Sequence, residues 1–391
     1  MKSSLYLDYA ATTPVDPLVA EKMLSCLTSQ GLYGNPASQH DYGYAAAQAI
    51  TQAAQQVASL IHAAPQEIIW TSGATEANNL ALKGIAEFYA YKGKHIITSR
   101  IEHKSVLDVC RYLEKQGYQV SYLSPSANGL IDPQDVAAAM RPDTILVSIM
   151  HVNNEIGVIQ DIAAISKIVK QHHCLFHVDA AQSAGKIVVD VDALGIDLMS
   201  LSGHKVYGPK GIGALFVRQK PPIKLVPQMQ GGSQQHGLRA GTLPTHQIVG
   251  MGEAFAIAES RLLSDSEWVT QLRSKLLASL EDIPGLNLVT PLQRAIPHIL
   301  NLSFTAIHSE ALLYGLRNIA LSSGSACDSA LMEPSYVLKA IGLMNTSIRG
   351  AIRISLGRYT TVAEIDYFSQ RLKQEVARLR AISPLWNTHE V

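Results

Sequence analysis

The residues with chemical potential gather in a few short stretches, and a lysine sits in the richest of them. Residues 201–215 read Leu-Ser-Gly-His-Lys-Val-Tyr-Gly-Pro-Lys-Gly-Ile-Gly-Ala-Leu. Lys205 lies between a Ser-Gly-His turn and a run of glycines, with apolar strand-like segments on either side. Ser202 and His204 bring two more polar groups to that turn, which points to an amine that is used. Lys210 reads instead as a surface lysine on a Gly-rich loop. Thr71-Ser72-Gly73-Ala74-Thr75-Glu76 follows another strand-like segment and opens a helix. Backbone N–H groups and the dipole at a helix start form an anion site, though the same residues also make an ordinary N-cap. An apolar run, 175–178, leads into Asp179. A carboxylate there is either a cap or a site residue, and it can meet Lys205 over one crevice. His103, in Glu102-His103-Lys104-Ser105, also follows a strand-like segment. Cys327 is flanked by small polar residues in Ser322-Ser323-Gly324-Ser325-Ala326-Cys327-Asp328-Ser329. A thiol in such a loop is accessible to reaction, unlike the usual buried cysteine. Arg353 interrupts an apolar strand, where its planar donors suit a bidentate grip on a carboxylate. An interdomain ion pair is the weaker reading of an arginine in that setting.

These residues need a frame, and the chain alternates strand and helix for more than half its length. Strands are expected at 68–71, 95–99, 119–123, 144–150, 174–178, 196–201 and 213–217. Helices are expected at 17–28, 44–61, 76–92, 106–116, 133–140 and 161–171, with Asp16 as N-cap of the first. Near-continuous Ile/Val/Leu strands between helices predict an α/β fold with a mostly parallel sheet covered on both faces. A Pro/Gly/Gln-rich loop spans 221–241. A long helix starts over 245–263, with helical periodicity continuing over 268–283, before short strands (286–289, 299–303, 319–322, 351–355) and helices (309–316, 334–341, 362–381). The expected division is a large domain over 16–259 and a smaller α+β domain over 260–391. The N-terminal segment, 1–15, packs with the latter.

Composition narrows the function classes. Of 391 residues, 47% are hydrophobic and 16% charged, an ordinary globular balance. Net charge is zero, so no polyanion-binding surface and no direct nucleic-acid partner are expected. The N-terminus lacks the apolar core of a signal peptide and no apolar run reaches spanning length, so no membrane association is expected. The four cysteines show no C-x-x-C spacing, so a zinc site is not expected and a reducing, cytoplasmic setting fits.

Ser202-Gly203-His204-Lys205 followed by Gly208-Pro209-Lys210-Gly211 resembles the cofactor-lysine motif of the cysteine desulfurases. These are pyridoxal-phosphate (PLP) enzymes of fold type I in the class V aminotransferase family. The likeness spans the chain from Tyr6-Leu7-Asp8-Tyr9-Ala10-Ala11-Thr12-Thr13-Pro14 to Ser383-Pro384-Leu385-Trp386 and is nearest to the group I, housekeeping iron–sulfur members. It implies that Lys205 holds PLP and that Asp179 pairs with its ring nitrogen, with Gln182 on the ring hydroxyl and His103 stacked on the ring and moving protons. By the same likeness Ala74, Thr75, Ser202 and His204 cup the phosphate. Thr242, in the loop 231–242, reaches the phosphate of a partner subunit, so the enzyme is a homodimer. Asn154 and Arg353 hold the carboxylate of L-cysteine, with Asn35 in a substrate-side loop. Cys327 is the nucleophile that becomes a persulfide, giving L-alanine and passing sulfur to an iron–sulfur scaffold or a tRNA-thiolation relay protein. No resident metal is implied, Cys327 being at most a transient iron–sulfur ligand.

Three departures from that family pattern stand out. Gln235 and His236 occupy positions usually held by Glu and Arg, which removes a charge pair from the interface loop. Asp328 follows the cysteine where Thr or Ser is usual, so the Cys327 thiol is expected to have a higher pKa than in relatives. The chain stops soon after Trp386, short of the tail that docks the scaffold, which puts scaffold partnership in doubt. Two competing hypotheses bear on function: another PLP enzyme of the same fold (a selenocysteine lyase or an aminotransferase), or a sulfur-relay scaffold whose PLP only stabilises the fold.

Overall fold

The computed structural model describes residues 4–323, 334–384 and 386. The strands are β1 (Leu5–Tyr6), β2 (Ile68–Thr71), β3 (His95–Ser99), β4 (Gln119–Leu123), β5 (Thr144–Ser148), β6 (Leu175–Asp179), β7 (Leu198–Ser202), β8 (Gly213–Val217), β9 (Leu286–Leu288), β10 (Ile299–Phe304), β11 (Ile319–Ala320) and β12 (Ala351–Ser355). The α-helices are α1 (Pro17–Leu24), α2 (Asp41–Leu60), α3 (Ala74–Phe88), α4 (Lys104–Lys115), α5 (Pro133–Ala139), α6 (Ile162–Gln171), α7 (Thr245–Leu280), α8 (Ser309–Gly315), α9 (Tyr336–Ala340), α10 (Asn345–Arg349) and α11 (Val362–Ala381). Among the described residues no helix is long and apolar enough to cross a membrane.

A seven-stranded sheet in the order β2-β8-β7-β6-β5-β3-β4 carries the site. Its strands are parallel except β8, which is antiparallel to both neighbours. The period-two alternation of strand side chains covers both faces. Val147 and Met199 pack with α2, α6 and the start of α7, while Leu146 and Leu198 pack with α3 and α4. The chain reverses its direction of travel across the sheet between β3 and β5, so a ligand crevice is expected beyond their carboxyl ends. A second sheet, β12-β10-β9, lies under the last half of α7 and α11. β1 pairs with β11 in parallel, and Leu5 and Leu7 enter that second core.

The helical periodicity that starts at 245–263 and continues over 268–283 forms one 36-residue helix, α7, about 54 Å long at 1.5 Å per residue. Within it Asp265 is a buried node that accepts from Arg261 at 3.1 Å and from Arg358 at 2.7 Å. The first helix ends at Leu24 rather than at 28, and the short α10 went unseen. Asp16 does cap α1, accepting from the Leu18 amide at 3.1 Å. Gln235, a departure from the family pattern, caps the edge strand β2. Its Oε1 accepts from the Trp70 amide at 2.8 Å.

Candidate active site

A cavity of about 530 Å³ opens where β2, β3, β5, β6 and β7 end. β7 runs out at Ser202, and a single 3₁₀ turn, Gly203–Lys205, swings the lysine into it. Lys205 Nζ donates to the carbonyls of Ala10 at 2.5 Å and Ala11 at 2.7 Å, so the N-terminal segment holds the amine. His204 meets Thr12 Oγ1 through Nδ1 at 3.1 Å. Burial, then the nearby Lys205, Lys210 and Lys186 ammonium groups, push its pKa down to about 4, so the ring is neutral at pH 7. The return strand β8 passes close to the helix-opening turn. A Cβ on Gly213 would lie 2.6 Å from Gly73 Cα, and Gly73 itself has φ +155°, which side chains rarely adopt.

Asp179 ends β6, nearly buried at 5% exposure. Its Oδ1 accepts from the Ala181 amide at 3.0 Å and its Oδ2 from Asn78 at 2.9 Å. Asn78 also donates to Ser105 Oγ at 2.8 Å. Ser105 Oγ lies 2.8 Å from His103 Nδ1, which also accepts from the Ser105 amide at 3.1 Å. With its oxygen accepting from Asn78, the serine gives its proton to His103. Nδ1 is therefore held unprotonated, and the neutral ring carries its proton on Nε2. Asn78 and Ser105 thus tie Asp179 to His103, a link the sequence reading missed. The available signal was an amide on a buried, Ala/Leu-rich helical face, in Ala77-Asn78 of α3. Glu102 was quoted only as part of a motif. It is fully buried, and burial raises its pKa to about 8 against the hydrogen bonds it receives from Ser99 and the Met150 amide.

The opposite wall comes from the second sheet. Arg353 on β12 donates from Nη1 to the Asn154 carbonyl at 2.8 Å and pairs through Nη2 with Asp8 at 2.9 Å. The ion pair judged the weaker reading is present, because the N-terminal segment runs beside β12 through an Asp8–Ser355 bridge. The pair uses only part of the fork. Among the described residues Arg353 Nε and Asn154 Oδ1 are buried without partners, and both side chains line the cavity. Gln182 lines it too, donating to the Ala10 carbonyl at 2.9 Å and accepting from Lys186 at 2.7 Å.

Two expected site residues stand elsewhere. Asn35 is exposed, with Oδ1 accepting from the Ala37 amide at 3.0 Å, and does not line this cavity. Thr242 is exposed and does not line it. Cys327 and Asp328 lie outside the described residues. The chain on either side is fixed at the crevice. Ser322 bridges to Arg353, and Ser335 Oγ donates to Glu155 at 2.5 Å.

α3 begins at the cavity with Ala74, Thr75 and Glu76. Gly73 stands at the cap position and supplies no side-chain bond, which leaves the first-turn N–H groups open to an anion. Glu76 is tied back by the Ser72 amide at 2.7 Å and Arg239 at 2.8 Å. Burial would raise its pKa, but those bonds outweigh it and lower it. A primary amine, a carboxylate, a neutral imidazole and an uncapped helix start around one cavity fit pyridoxal phosphate. They define a PLP-type site on a doubly covered, mostly parallel sheet. A family model described as Aminotransferase class-V matches residues 5–368. The chain belongs to that family of PLP-dependent enzymes. It is 56% identical over 391 residues to a protein named cysteine desulfurase IscS of Aeromonas salmonicida (strain A449), covering all of this chain and 97% of that one. A solved structure described as a NifS-like protein is similar with a TM-score of 0.89 at 36% identity, covering 96% of this chain and 100% of its own. Another, SspA in complex with cysteine, has a TM-score of 0.81 at 42% identity, over 91% of this chain and 100% of its own.

Proposed function

We propose that this enzyme is a cysteine desulfurase, converting L-cysteine and a protein thiol into L-alanine and a persulfide on Cys327. The observation that carries it is the meeting of Lys205, Asp179 and His103 at one cavity with an Arg353 fork left partly unpaired. The relatives named for that activity and the neighbour solved with cysteine support it.

Ala74, Thr75, Ser202 and His204 would hold the phosphate of PLP, Asp179 the ring nitrogen, Gln182 the ring hydroxyl, and Lys205 the carbonyl carbon. Bound there, PLP supplies an electron sink for the amino acid's Cα. Arg353 and Asn154 orient the substrate carboxylate. The Lys205 amine would take the Cα proton of the amino acid. His103 exchanges a proton at Nε2, because Nδ1 is engaged by Ser105. The Cys327 thiolate attacks the substrate sulfur. The new S–S bond forms as the Cβ–S bond breaks, and Cβ ends protonated in alanine. The test is incubation of purified protein with L-cysteine. Alanine and persulfide sulfur are expected in equal amounts, with the sulfur on Cys327. No alanine, or borohydride fixing PLP to a lysine other than Lys205, overturns the reading.

We also infer a large domain over 16–259 and a small one over 260–391 with 1–15 packed onto it. Ala258 belongs to the first core while Val269, Leu5 and Leu7 belong to the second, so the boundary falls inside α7. The exposed Leu18, Leu24, Leu27, Tyr42 and Tyr44 offer an apolar face to a second copy of the chain. In that homodimer Thr242 and Asn35 serve the partner's cavity. Sulfur passes in the cytoplasm to an acceptor protein of iron–sulfur assembly or tRNA thiolation.

A further inference from the structure

Lys186 lies beneath the cavity and takes no part in the proposed reaction. It is 9% exposed, and its ammonium donates to Gln182 Oε1 at 2.7 Å. Burial, and after it the nearby cations Lys205 and Arg353, push its pKa down from 10.5 to about 7, so it is an ammonium below that pH. A buried cation beside two others is a costly way to fill space, so the bond it makes is the place to look for its use.

That bond settles the two ends of a carboxamide. Below about pH 7 Lys186 is an ammonium that only donates, so the Gln182 oxygen must face it, as it does at 2.7 Å. A carbonyl only accepts, so the Gln182 NH₂ must face Ala10, whose carbonyl also receives Lys205. One amide hydrogen is used on Ala10, and the other is left for the cavity that Gln182 lines. A carboxamide free to rotate could offer a donor or an acceptor. This one is held as a donor.

We propose that Lys186 is a positioning residue that locks Gln182 with its NH₂ toward the cavity, so that the site selects a cofactor carrying a ring oxygen able to accept a hydrogen bond. The inference rests on the reading above that Gln182 meets the PLP ring hydroxyl. A positioning role predicts a particular loss. Removing Lys186 lets Gln182 turn, and the protein stops distinguishing PLP from the same molecule without its ring oxygen.

The experiment measures dissociation constants of the full-length protein for PLP and for 3-deoxypyridoxal phosphate, by absorbance titration at about pH 6, where Lys186 is charged, in five forms. The wild type is expected to favour PLP. Lys186→Met, which keeps the stem and loses the donor, is expected to cut that preference about tenfold, the worth of a hydrogen bond to a charged group. Lys186→Arg, which still only donates, is expected to restore it. In a Gln182→Leu background, adding Lys186→Met is expected to change nothing further. A wild-type preference retained in Lys186→Met overturns the inference alone. So does a further loss in the Gln182→Leu background, which would mean that the charge acts through space. A wild type that binds both compounds equally overturns the reading of Gln182 and takes this inference with it. Should Lys186→Met not fold, Lys186→Gln is read in the same way, because a carboxamide at 186 no longer dictates which end of Gln182 faces it.

Discussion

The sheet side of the crevice and the Arg353 side treat their polar groups differently. On the sheet side, Lys205 donates to two carbonyls, Asp179 accepts two hydrogen bonds, and His103 Nδ1 faces both the amide and the hydroxyl of Ser105. These groups are pinned at the ends of parallel strands, whose register fixes where each one sits. On the other side, among the described residues, Arg353 has a buried Nε donor without a partner. Asp8 neutralises part of the arginine's charge without closing its fork. An unsatisfied buried donor costs about 1–3 kcal/mol, and a ligand that satisfies it recovers that. On the sheet side the unpartnered buried atoms are oxygens, Asn78 Oδ1 and Glu102 Oε2, whereas Arg353 keeps a donor, so it is the Arg353 wall that can receive an anion that comes and goes.

The sharpest way to break this comparison is to remove the amine. Lys205→Ala is expected to lower alanine formation from L-cysteine by about 1,000-fold or more, through loss of the proton-transfer group and of the covalent hold on PLP. Chromatographic measurement of alanine checks it, and an active variant would mean that the sheet side is not the mount. On the receiving side, Arg353→Lys keeps the charge facing Asp8 but loses the planar fork. The KM for L-cysteine should rise about 10- to 100-fold with a smaller change in kcat, the pattern of lost carboxylate binding. Steady-state kinetics that show the reverse pattern would reassign Arg353 to structure.

The same contrast explains what the sequence could and could not tell. Strand ends were legible because apolar runs stop at a polar residue, as at Asp179 and Ser202, and Lys205 stood out as a charge among glycines. Those signals are local. Arg353 was legible as a charge in an apolar strand, but its partner Asp8 lies 345 positions away, and only the pairing of β1 with β11 and the bridge to β12 brings them together. The link through Asn78 and Ser105 was hidden for the same reason: Asn78 showed only as an amide on an apolar helical face, and its partners Ser105 and Asp179 lie far along the chain. The role of Asp265 in α7 left no local mark either, because its partner Arg358 arrives from 93 positions away. Long-range ion pairs and amide relays leave no spacing rule in the chain.

Asn78→Leu tests whether the relay stiffens the sheet side. The substitution withdraws both donors and leaves the Asp179 and Ser105 oxygens short of one bond each, so urea denaturation should show a loss of about 1–3 kcal/mol. The KM for L-cysteine should change little, because the receiving wall does not touch Asn78. A KM change as large as that of Arg353→Lys would mean that the two walls are coupled and the comparison is drawn in the wrong place.

The smallest effect, and the one most specific in form, concerns Glu102. Its carboxyl is fully buried behind His103 and keeps its proton up to about 8 in the folded protein, against an ordinary value of 4.5. Between those values the native state binds a proton that the unfolded chain has released. Stability from this group is therefore fully present below about pH 4.5 and is lost as pH rises toward about 8. Glu102→Gln has the same shape and cannot ionise. It should melt within a few degrees of the wild type at about pH 5, and then lose less of its melting temperature than the wild type between about pH 5 and about pH 8. Parallel melting curves for the two proteins across that range would show that Glu102 is already ionised when folded. An ionised Glu102 would place a second carboxylate beneath the Asp179–His103 relay, and the sheet side would then be a charged mount instead of a neutral one.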